Sequence, residues 1–465
     1  MRLSIASNKA VKATNQMKPF LEPTSVALVG VPKRTGRASF NILQNLLEMG
    51  FPGRLYPVNP HGGEILGVKT YTTIDELPAD IDLAVIMITR GSVPEAVEGC
   101  ARRGIRAIIV VSDGFAETDG EGKALQNRIV RIAKTRGIRV LGPNSIGVVN
   151  NPYGFSSTFI PVPANENRVA LVSQSGGFFE GFSGFTAGKG IDLGNTCDVD
   201  HADALDYLGD DPWTEVIALH IEGVRGGARF LQAARRASLK KPVVVLKTGR
   251  SWPGTRAISS HTGSLTGRDE VYGAAFRQSG MIRVDDVDEL GDVVGGLLHL
   301  PPPPGNRVGM ITASGGVAIL ALDALEPNGL EAARLSPKTV EGLRDFFPPW
   351  SPPCNPVDIM TPGILHGYKK VYQAALGSLL KDGNVDAILC IAGAPTLKTI
   401  GELAVGAPKP VLTWAMGRWG EGVASRAVDV GYRAIFPTPE RALRALAALR
   451  QRRLFEQFEN IERGK

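Results

Sequence analysis

The sequence predicts an α/β protein built from three domains, each organised around a parallel β-sheet. Short apolar runs alternate with helical patterns throughout the 465 residues, which is typical of successive βαβ units. A chain of this length exceeds what one hydrophobic core supports, so several domains are expected. Two proline-rich stretches, one after residue 150 and one at "PPPPGN", divide the alternation into three blocks.

The first block follows an N-terminal extension over residues 1–21 and occupies residues 22–150. Its predicted strands are "SVALVG", "RLYPVN", "DLAVIMI", "AIIVVS" and "IRVLGPN", and the block closes with "SIGVVN". Runs as continuously apolar as these are typical of strands that are buried on both faces of a sheet.

The second and third blocks occupy residues 151–300 and 301–465. The second contains "RVALVSQSGG", "EVIALHIEG" and "KPVVVLKTGR", and the third contains "RVGMITASGG", "DAILCIAG" and "KPVLTWAMG". A basic helix with alanine and leucine at helical spacing is predicted over about residues 439–457, and we interpret it as covering a sheet. The openings "RVALVSQSGG" and "RVGMITASGG" match in register, which indicates similar folds used twice.

The composition is that of an ordinary globular protein and excludes several functional classes. The formal net charge is +6, and lysine and arginine are not clustered with aromatic residues, so no nucleic-acid surface is indicated. The four cysteines form no CxxC pair, and no cluster has the spacing of a metal site. No apolar run has the length of a signal peptide or a membrane span. These features predict a cytoplasmic protein without a structural metal.

The turn "VGVPKRTGRAS" follows the first predicted strand and opens a helix, so its backbone amides are candidates for holding a pyrophosphate. A dinucleotide such as NAD also requires an acidic residue near the end of the second strand, and "LYPVNPHGG" has none there. A nucleotide other than NAD, bound near Lys33, Arg34 and Arg37, therefore fits better. A βα turn without any ligand remains the alternative.

The matched turns "SQSGG" and "TASGG" combine hydroxyl groups with free backbone amides at the start of a helix, a common way to hold phosphate. Small residues at such a position also let a strand and a helix pack closely, so either turn alone is ambiguous. Both interpretations stay open at this point.

His261 lies in "SSHTGSLTG", which has neither helical nor strand periodicity and is therefore predicted to be a loop. An imidazole can hold a phosphoryl group when one nitrogen is free to attack and the other is oriented by a partner. Glu222 follows a predicted strand and is a candidate for that partner. From local sequence alone, a structural histidine is the preferred interpretation. The other five histidines, including His220, have no comparable setting and are interpreted as incidental.

These motifs occur in one order, which is "SVALVG", "YPVNP", "GPNSIG", "VSQSGG", "IEG", "LKTGR", "SSHTGSLTG", "ITASGG" and "NPVDI". In that order the chain closely resembles the α subunit of NDP-forming acyl-CoA synthetases, a family that includes ADP-forming acetate–CoA ligase and is related to succinyl-CoA synthetase. The resemblance covers roughly residues 22–450. It implies a Rossmann-like CoA-binding domain followed by two flavodoxin-like domains of the succinyl-CoA-synthetase type.

The resemblance also implies roles for particular residues. His261 matches the family's phosphohistidine, and Glu222 matches the acid that hydrogen-bonds it. The residues implied to hold phosphate are Ser173, Gln174, Ser175, Gly176, Gly177, Ser314, Gly315 and Gly316. The residues implied to contact CoA are Gly30, Pro32, Lys33, Arg34, Thr35, Gly36, Arg37, Val58, Asn59, Pro60, His61, Ile88, Thr89 and Asn144. The carboxylic acid is expected to bind near Gly176 and Gly177, with Phe178 and Phe179 shaping its pocket.

The implied reaction interconverts a carboxylic acid, CoA and ATP with acyl-CoA, ADP and phosphate through an acyl phosphate and a phosphohistidine. No segment resembles the ATP-grasp nucleotide domain of these enzymes, so the resemblance implies a separate β subunit that binds ADP or ATP with Mg²⁺, in a hetero-oligomer such as α2β2. The alternative is a non-catalytic protein that binds CoA or acyl-CoA as a sensor or scaffold. A third candidate, an NAD-dependent oxidoreductase, is disfavoured by the acid-free "YPVNP".

Overall fold

The computed structural model describes residues 16–36, 41–163, 165–180, 185–254, 256, 267–416 and 431–464. The chain divides into two compact units, residues 1–285 and 286–465. The strands of the first unit are β1 Ser25–Val29, β2 Arg54–Val58, β3 Gly63–Ile65, β4 Val68–Thr70, β5 Leu83–Ile86, β6 Ala107–Val110, β7 Arg139–Leu141, β8 Val148–Asn150, β9 Phe155–Ser156, β10 Val169–Ser173, β11 Lys189–Asp192, β12 Val216–Ile221, β13 Val243–Lys247 and β14 Ile282–Val284. Its α-helices are α1 Ile42–Glu48, α2 Val93–Arg102, α3 Gly120–Arg136, α4 His201–Asp210, α5 Gly227–Ser238 and α6 Asp269–Gln278.

The first sheet is entirely parallel, with the strand order β2-β1-β5-β6-β7. Counted within the sheet this order is 2-1-3-4-5, a doubly wound arrangement in which ligands bind at the carboxyl ends of the first and third strands. Every residue of β1, β5 and β6 is buried, as their continuously apolar sequences predict. Strands β3 and β4 form a separate antiparallel hairpin.

The second sheet has the order β14-β13-β12-β10-β11-β8-β9. Its five parallel strands, β10 to β14, again follow the order 2-1-3-4-5, and β8 and β9 extend the edge in antiparallel fashion. Strand β8 comes from "SIGVVN", which the sequence places at the end of the first block. It joins the second sheet instead, because its backbone pairs with β11.

The two sheets of the first unit share one apolar core. Leu28 and Val85 of the first sheet belong to the same buried cluster as Val172 and Leu219 of the second. Polar contacts also join them, since Arg139 at the start of β7 makes ion pairs of 2.9 Å with both Asp198 and Asp203. The two sheets are therefore held in a fixed relation, which matters for the cavity described below.

The helices of the first unit begin and end where local chemistry satisfies their terminal backbone groups. Helix α3 begins after Asp119, whose side chain accepts a hydrogen bond from the Gly122 amide at 2.7 Å. It ends at Gly137, which has a φ of 65°, the left-handed conformation that glycine adopts without strain. Helix α4 begins with a capping box formed by Asp200 and Asp203.

The second unit contains the third sheet, which is parallel throughout with the order β16-β15-β18-β19-β20 and with β17 also paired to β15. Its strands are β15 Arg307–Thr312, β16 Glu331–Ala332, β17 Val357–Asp358, β18 Ala387–Ala392, β19 Val411–Ala415 and β20 Ile435–Phe436. Its α-helices are α7 Val287–His299, α8 Gly315–Asp323, α9 Pro337–Leu343, α10 Met360–His366, α11 Tyr368–Lys381, α12 Ala394–Ala404 and α13 Pro439–Gly464.

The basic C-terminal helix α13 covers the third sheet, as its pattern predicts, and extends seven residues beyond the predicted end. Its apolar face, which includes Leu443 and Leu446, belongs to the core of this unit. Helix α7, which the sequence assigns to the second block, packs on α13 through an ion pair between Arg441 and Asp292. Among the described residues, no helix is both long enough and apolar enough to cross a lipid bilayer.

Candidate active site

The loops after β1 and β2 lie side by side at the carboxyl edge of the first sheet. The Gly30 amide donates a hydrogen bond to the Val58 carbonyl at 3.0 Å, and the Asn59 side-chain amide donates one to the Val31 carbonyl at 2.8 Å. Gly30 has a φ of 96°, and a Cβ at this position would lie 2.2 Å from the Met87 carbonyl oxygen. Only glycine fits here, so the close approach of the loop to β5 depends on it.

The residues implied to contact CoA therefore gather along one edge, although not all of them can be described. Gly30, Val58 and Asn59 are joined by the hydrogen bonds above, and the segment from Lys33 to Gly36 is exposed beside them. The Ile88 amide, ahead of Thr89, donates a hydrogen bond to the Ser112 hydroxyl oxygen at 3.1 Å, which links the ends of β5 and β6. Arg37 lies outside the described residues.

The turn after β10 is stabilised by its own hydroxyl group. The Ser173 hydroxyl accepts a hydrogen bond from the Ser175 amide at 3.0 Å and donates one to the Ser175 carbonyl at 2.8 Å. A 3₁₀ helix, Gly176–Glu180, follows. A Cβ at Gly176 would lie 2.6 Å from the side chain of Ile146, so a glycine lets this turn approach the segment that follows the first sheet.

The turn after β15 in the second unit has the same hydrogen-bonding pattern. The Thr312 hydroxyl accepts from the Ser314 amide and donates to the Ser314 carbonyl, both at 3.0 Å. Helix α8 then begins at Gly315, with Ser314 as its N-cap. The match between "SQSGG" and "TASGG" is thus structural as well as sequential, but the segment that follows is an α-helix only in the second unit. After Ser175 the structure has a 3₁₀ helix.

A cavity of about 670 Å³ lies where the carboxyl ends of the first and second sheets meet. The first sheet contributes Met87, Val111, Ser112, Asp113 and the segment from Asn144 to Ile146, and the second contributes Gln174, Ser175, Gly176, Gly177 and Asp192, with Phe159 and Ile160 completing the wall. Of the residues implied to bind CoA, Asn144 therefore shares a cavity with four residues implied to bind phosphate. The volume of this cavity is in the range of small-molecule binding sites.

Glu222 is buried directly after β12, next to this cavity. The Gln174 side-chain oxygen accepts hydrogen bonds from the backbone amides of Glu222 at 2.7 Å and Gly223 at 3.1 Å. These two bonds orient the Gln174 amide and hold the turn after β10 against the end of β12. Glu222 thus lies at the switch point of the second sheet, between β10 and β12, where ligand-facing groups are expected. His261 lies outside the described residues, so its distance from Glu222 is not described.

His220 is part of this site, contrary to the interpretation that it is incidental. Its Nδ1 atom lies 3.1 Å from the Ser173 hydroxyl, its Nε2 atom lies 3.0 Å from the Thr248 hydroxyl, and its ring stacks on Phe178 with centroids 3.9 Å apart. Because Ser173 donates to Ser175, the consistent tautomer has Nδ1 donating to Ser173 and Nε2 accepting from Thr248. Burial, with smaller contributions from His201 and Lys247, lowers the pKa of His220 to about 3, so the ring is neutral.

Lys247 is a second residue that the sequence analysis missed. It ends β13 and is 2 % exposed, and its ammonium group donates to the Thr248 carbonyl and lies 4.8 Å from the centre of the Tyr272 ring. Burial lowers the pKa of Lys247 to about 8, while the charge of Asp269 raises it. The sequence pattern around Lys247 could have identified it, because a lysine in an apolar, buried strand needs a functional or structural explanation.

Phe178 and Phe179, expected to shape an acid pocket, lie on the 3₁₀ helix after Gly177. Both line a small apolar cavity of about 50 Å³ in the second domain, together with Leu171 and Phe185. A Cβ at Gly190 would lie 2.3 Å from the Phe179 ring, so this glycine makes room for the ring. The cavity is one-third of the roughly 150 Å³ that a benzene ring needs in a buried site.

Comparison with known proteins matches three family models to the three sheets. A CoA binding domain matches residues 24–151, a succinyl-CoA ligase like flavodoxin domain matches residues 166–297, and a ligase-CoA domain matches residues 308–395. The fold and the cavity between the first two sheets therefore define a protein of the CoA-ligase class.

Full-length relatives narrow this class. The chain is 36 % identical over 460 residues to the α subunit of ADP-forming acetate–CoA ligase I from Pyrococcus furiosus, covering 93 % of this chain and 97 % of that one. It is 35 % identical over 443 residues to the ADP-forming acetate–CoA ligase I of Archaeoglobus fulgidus, covering 93 % of this chain and 63 % of that one. The solved structure of the dinucleotide-forming acetyl-coenzyme A synthetase 1 of Ca. Korarchaeum cryptofilum, in complex with phosphate and ADP, superposes with a TM-score of 0.86 at 30 % identity and covers 96 % of this chain and 99 % of that one. The chain belongs to the family of ADP-forming acyl-CoA synthetase α subunits.

Proposed function

We propose that this protein is the α subunit of an ADP-forming acid–CoA ligase, which interconverts a carboxylic acid, CoA and ATP with acyl-CoA, ADP and phosphate. One observation carries the proposal beyond family membership. The cavity of about 670 Å³ joins the carboxyl edge of the CoA-binding domain to the turn from Gln174 to Gly177, so a thioester held by the first sheet and a phosphate held by the second would meet in one cavity.

The proposed roles of the residues follow the resemblance. The Ser175 hydroxyl and the backbone amides of Gly176 and Gly177 hold the phosphate that attacks the thioester or leaves from the acyl phosphate. His261 then takes the phosphoryl group from the acyl phosphate, and Glu222 orients the imidazole and stabilises its positive charge. The Gln174 amide supports this arrangement, because it fixes the backbone on both sides of Glu222.

His220 on β12 and Lys247 at the end of β13 stabilise the same site from the second sheet. The chain of hydrogen bonds from Thr248 through His220 to Ser173 fixes the phosphate-binding turn relative to β13, the strand after which the segment carrying His261 begins. The buried Lys247 ammonium places a positive charge at this sheet edge, where a phosphoryl group brings about two negative charges. Both residues therefore act as positioning and electrostatic supports.

A second subunit is part of the proposal. The relative from Pyrococcus furiosus is itself called an α subunit, whereas the chain covers only 63 % of the acetate–CoA ligase I of Archaeoglobus fulgidus. We infer that a β subunit of the ATP-grasp type binds ADP or ATP with Mg²⁺ and receives the phosphoryl group from His261, in a hetero-oligomer such as α2β2. Co-purification of the tagged chain from its native host, followed by mass spectrometry, tests for that subunit.

The activity is tested by phosphorylation of the chain. The full chain is incubated with acyl phosphates of several carboxylic acids, from acetate to aromatic acids, and its intact mass is measured before and after brief acid treatment. A gain of one acid-labile phosphoryl group, absent from His261→Ala and present in the exposed control His366→Ala, supports the proposal. CoA binding without phosphorylation by any acyl phosphate, or by ATP with the β subunit, would favour the non-catalytic sensor or scaffold instead.

A further inference from the structure

The wall of the large cavity contains an acidic residue to which nothing above assigns a function. Asp192 is the last residue of β11 and is 1 % exposed, and its Cα is paired in register with Ser173 of β10. It lines the cavity together with Ser112 and Asn144 from the CoA-binding domain and with the phosphate-binding turn. Asp192 thus lines the same cavity as the groups proposed to hold the thioester and the phosphate.

The Asp192 carboxyl group is held by backbone amides. Its Oδ2 atom accepts a hydrogen bond from the Ile146 amide at 2.7 Å, and its Oδ1 atom accepts one from the Gly194 amide at 3.3 Å. The Ser145 hydroxyl donates to the main-chain oxygen of the same residue. Among the described residues, no lysine, arginine or histidine lies within ion-pair distance of this carboxyl group. It is therefore fixed in position but not neutralised.

The surroundings of Asp192 set the proton affinity of its carboxyl group. Burial raises the pKa of Asp192 to about 7; the Ile146 and Gly194 amides lower it, and the negative charge of Glu222 raises it further. From the side of the CoA-binding domain, Asp113 is the acidic residue that lines the same cavity. A carboxyl group with this pKa is present in both protonation states at neutral pH, which suits a group that must both take up and release a proton.

The proposed reaction contains a proton transfer that needs such a group. When the CoA thiol attacks the acyl phosphate, the carbon–sulfur bond forms, the carbon–oxygen bond to phosphate breaks, the thiol loses its proton and the departing phosphate gains one. A thiolate is the nucleophile in such reactions, and a free cysteine thiol has a pKa of about 8.5, so most of the thiol is protonated at neutral pH. The reverse reaction, phosphorolysis of the acyl-CoA, moves the same proton from phosphate to sulfur.

We propose that Asp192 carries this proton between the CoA sulfur and the phosphate. In the direction of thioester formation, its carboxylate accepts the thiol proton as sulfur attacks, and the resulting acid donates that proton to the phosphate oxygen that leaves. The inference rests on the proposed function, since it assigns a residue to one step of that reaction. It differs from the roles of Glu222 and His261, which act in the transfer of the phosphoryl group.

The test separates the thiol step from the phosphoryl step. The thiol step is measured as acyl-CoA formed from CoA and the acyl phosphate that phosphorylates the wild-type chain, and the phosphoryl step is measured as the rate of that phosphorylation without CoA. Asp192→Asn is compared with Asp192→Ser, which keeps a small polar side chain in case the added amide hydrogen repels the Ile146 or Gly194 amide. Asp75→Asn is the matched control, because it removes an exposed carboxylate of the same compact unit that does not line the cavity.

We expect both Asp192 variants to slow the thiol step by about 100-fold or more, as for loss of a general base, and to leave the phosphoryl step within about threefold of wild type. In wild type the rate of thioester formation should rise with pH as the carboxyl group ionises near pH 7, and this rise should be absent from the variants. Asp75→Asn should retain the wild-type profile.

Two results would overturn the inference. A thiol step within threefold of wild type in both variants would show that Asp192 moves no proton, and an equal loss of both steps would show that the residue only maintains the structure. A wild-type chain, with or without its β subunit, that performs neither step would refute the proposed function itself, and the inference with it.

Discussion

Because His220 is buried and neutral, the unfolding free energy of the first unit should fall in acid. A single substitution at His220 should remove this part of the pH dependence. His220→Phe keeps an aromatic ring of similar size against Phe178 but removes the hydrogen bonds to Ser173 and Thr248. The buried Ser173 hydroxyl and the partly buried Thr248 hydroxyl then each lose a partner, although Ser173 keeps its bonds to Ser175. We expect the variant to be less stable than wild type at pH 8 by about 1–3 kcal/mol.

That difference should shrink as the pH falls. The pKa of His220 is about 3 in the folded protein and 6.5 in the absence of structure, so the contribution of the neutral ring is complete above pH 6.5 and is lost between pH 6.5 and pH 3. Each pH unit in this window costs about 1.4 kcal/mol, so wild type loses about 2 kcal/mol by pH 5. The variant has no ring to titrate, and contributions that both proteins share cancel in the comparison.

The assay must report on the first unit alone, because a chain with two compact units need not unfold in one transition. Hydrogen–deuterium exchange in increasing urea, followed by mass spectrometry of peptides from β10 and β12, gives that local unfolding free energy. Thr248→Val is the matched control, since it removes one of the same hydrogen bonds and keeps the titrating ring. A penalty for His220→Phe that is equal at pH 8 and pH 5 would refute the conclusion that the folded ring stays neutral.

Three further predictions concern the same region. Glu222→Gln should slow formation of the phosphohistidine by about 10³- to 10⁴-fold, as for the loss of an orienting acid, with no change in thermal midpoint; an unchanged rate would show that another group orients the ring. Lys247→Met should match or exceed wild type in stability at pH 7, because the buried ammonium is desolvated in wild type. This advantage should fall between pH 8 and pH 10.5 as wild type becomes more stable; the same hydrogen–deuterium exchange assay, on peptides from β13 at the two pH values, measures it. Gly176→Ala should weaken phosphate binding at least tenfold by calorimetry, since its Cβ would lie 2.6 Å from the Ile146 Cγ2 atom, and the double variant with Ile146→Ala, which removes that atom, should recover part of the affinity.

The strands of the three sheets could be predicted from the sequence because the pattern that predicts a buried strand is local. A strand buried on both faces must be apolar along its length. Each apolar run predicted as a strand in the three blocks contains a β-strand in the structure. The turns after β10 and β15 could be found for the same reason, since the hydroxyl of Ser173 or Thr312 bonds a backbone amide only two residues away. The family followed from the order of these local motifs.

Only the tertiary structure decided which residues share the cavity and how burial changes them. The sequence separates Ser112 from Asp192 by 80 positions, yet both line one space because the carboxyl ends of the two sheets meet. It treated His220 as incidental and did not single out Lys247 or Asp192, because a histidine, a lysine and an aspartate acquire unusual pKa values only from burial and from neighbours that folding supplies. Local patterns thus fixed the architecture, and the packing of one sheet edge against another created the chemical environment of the site.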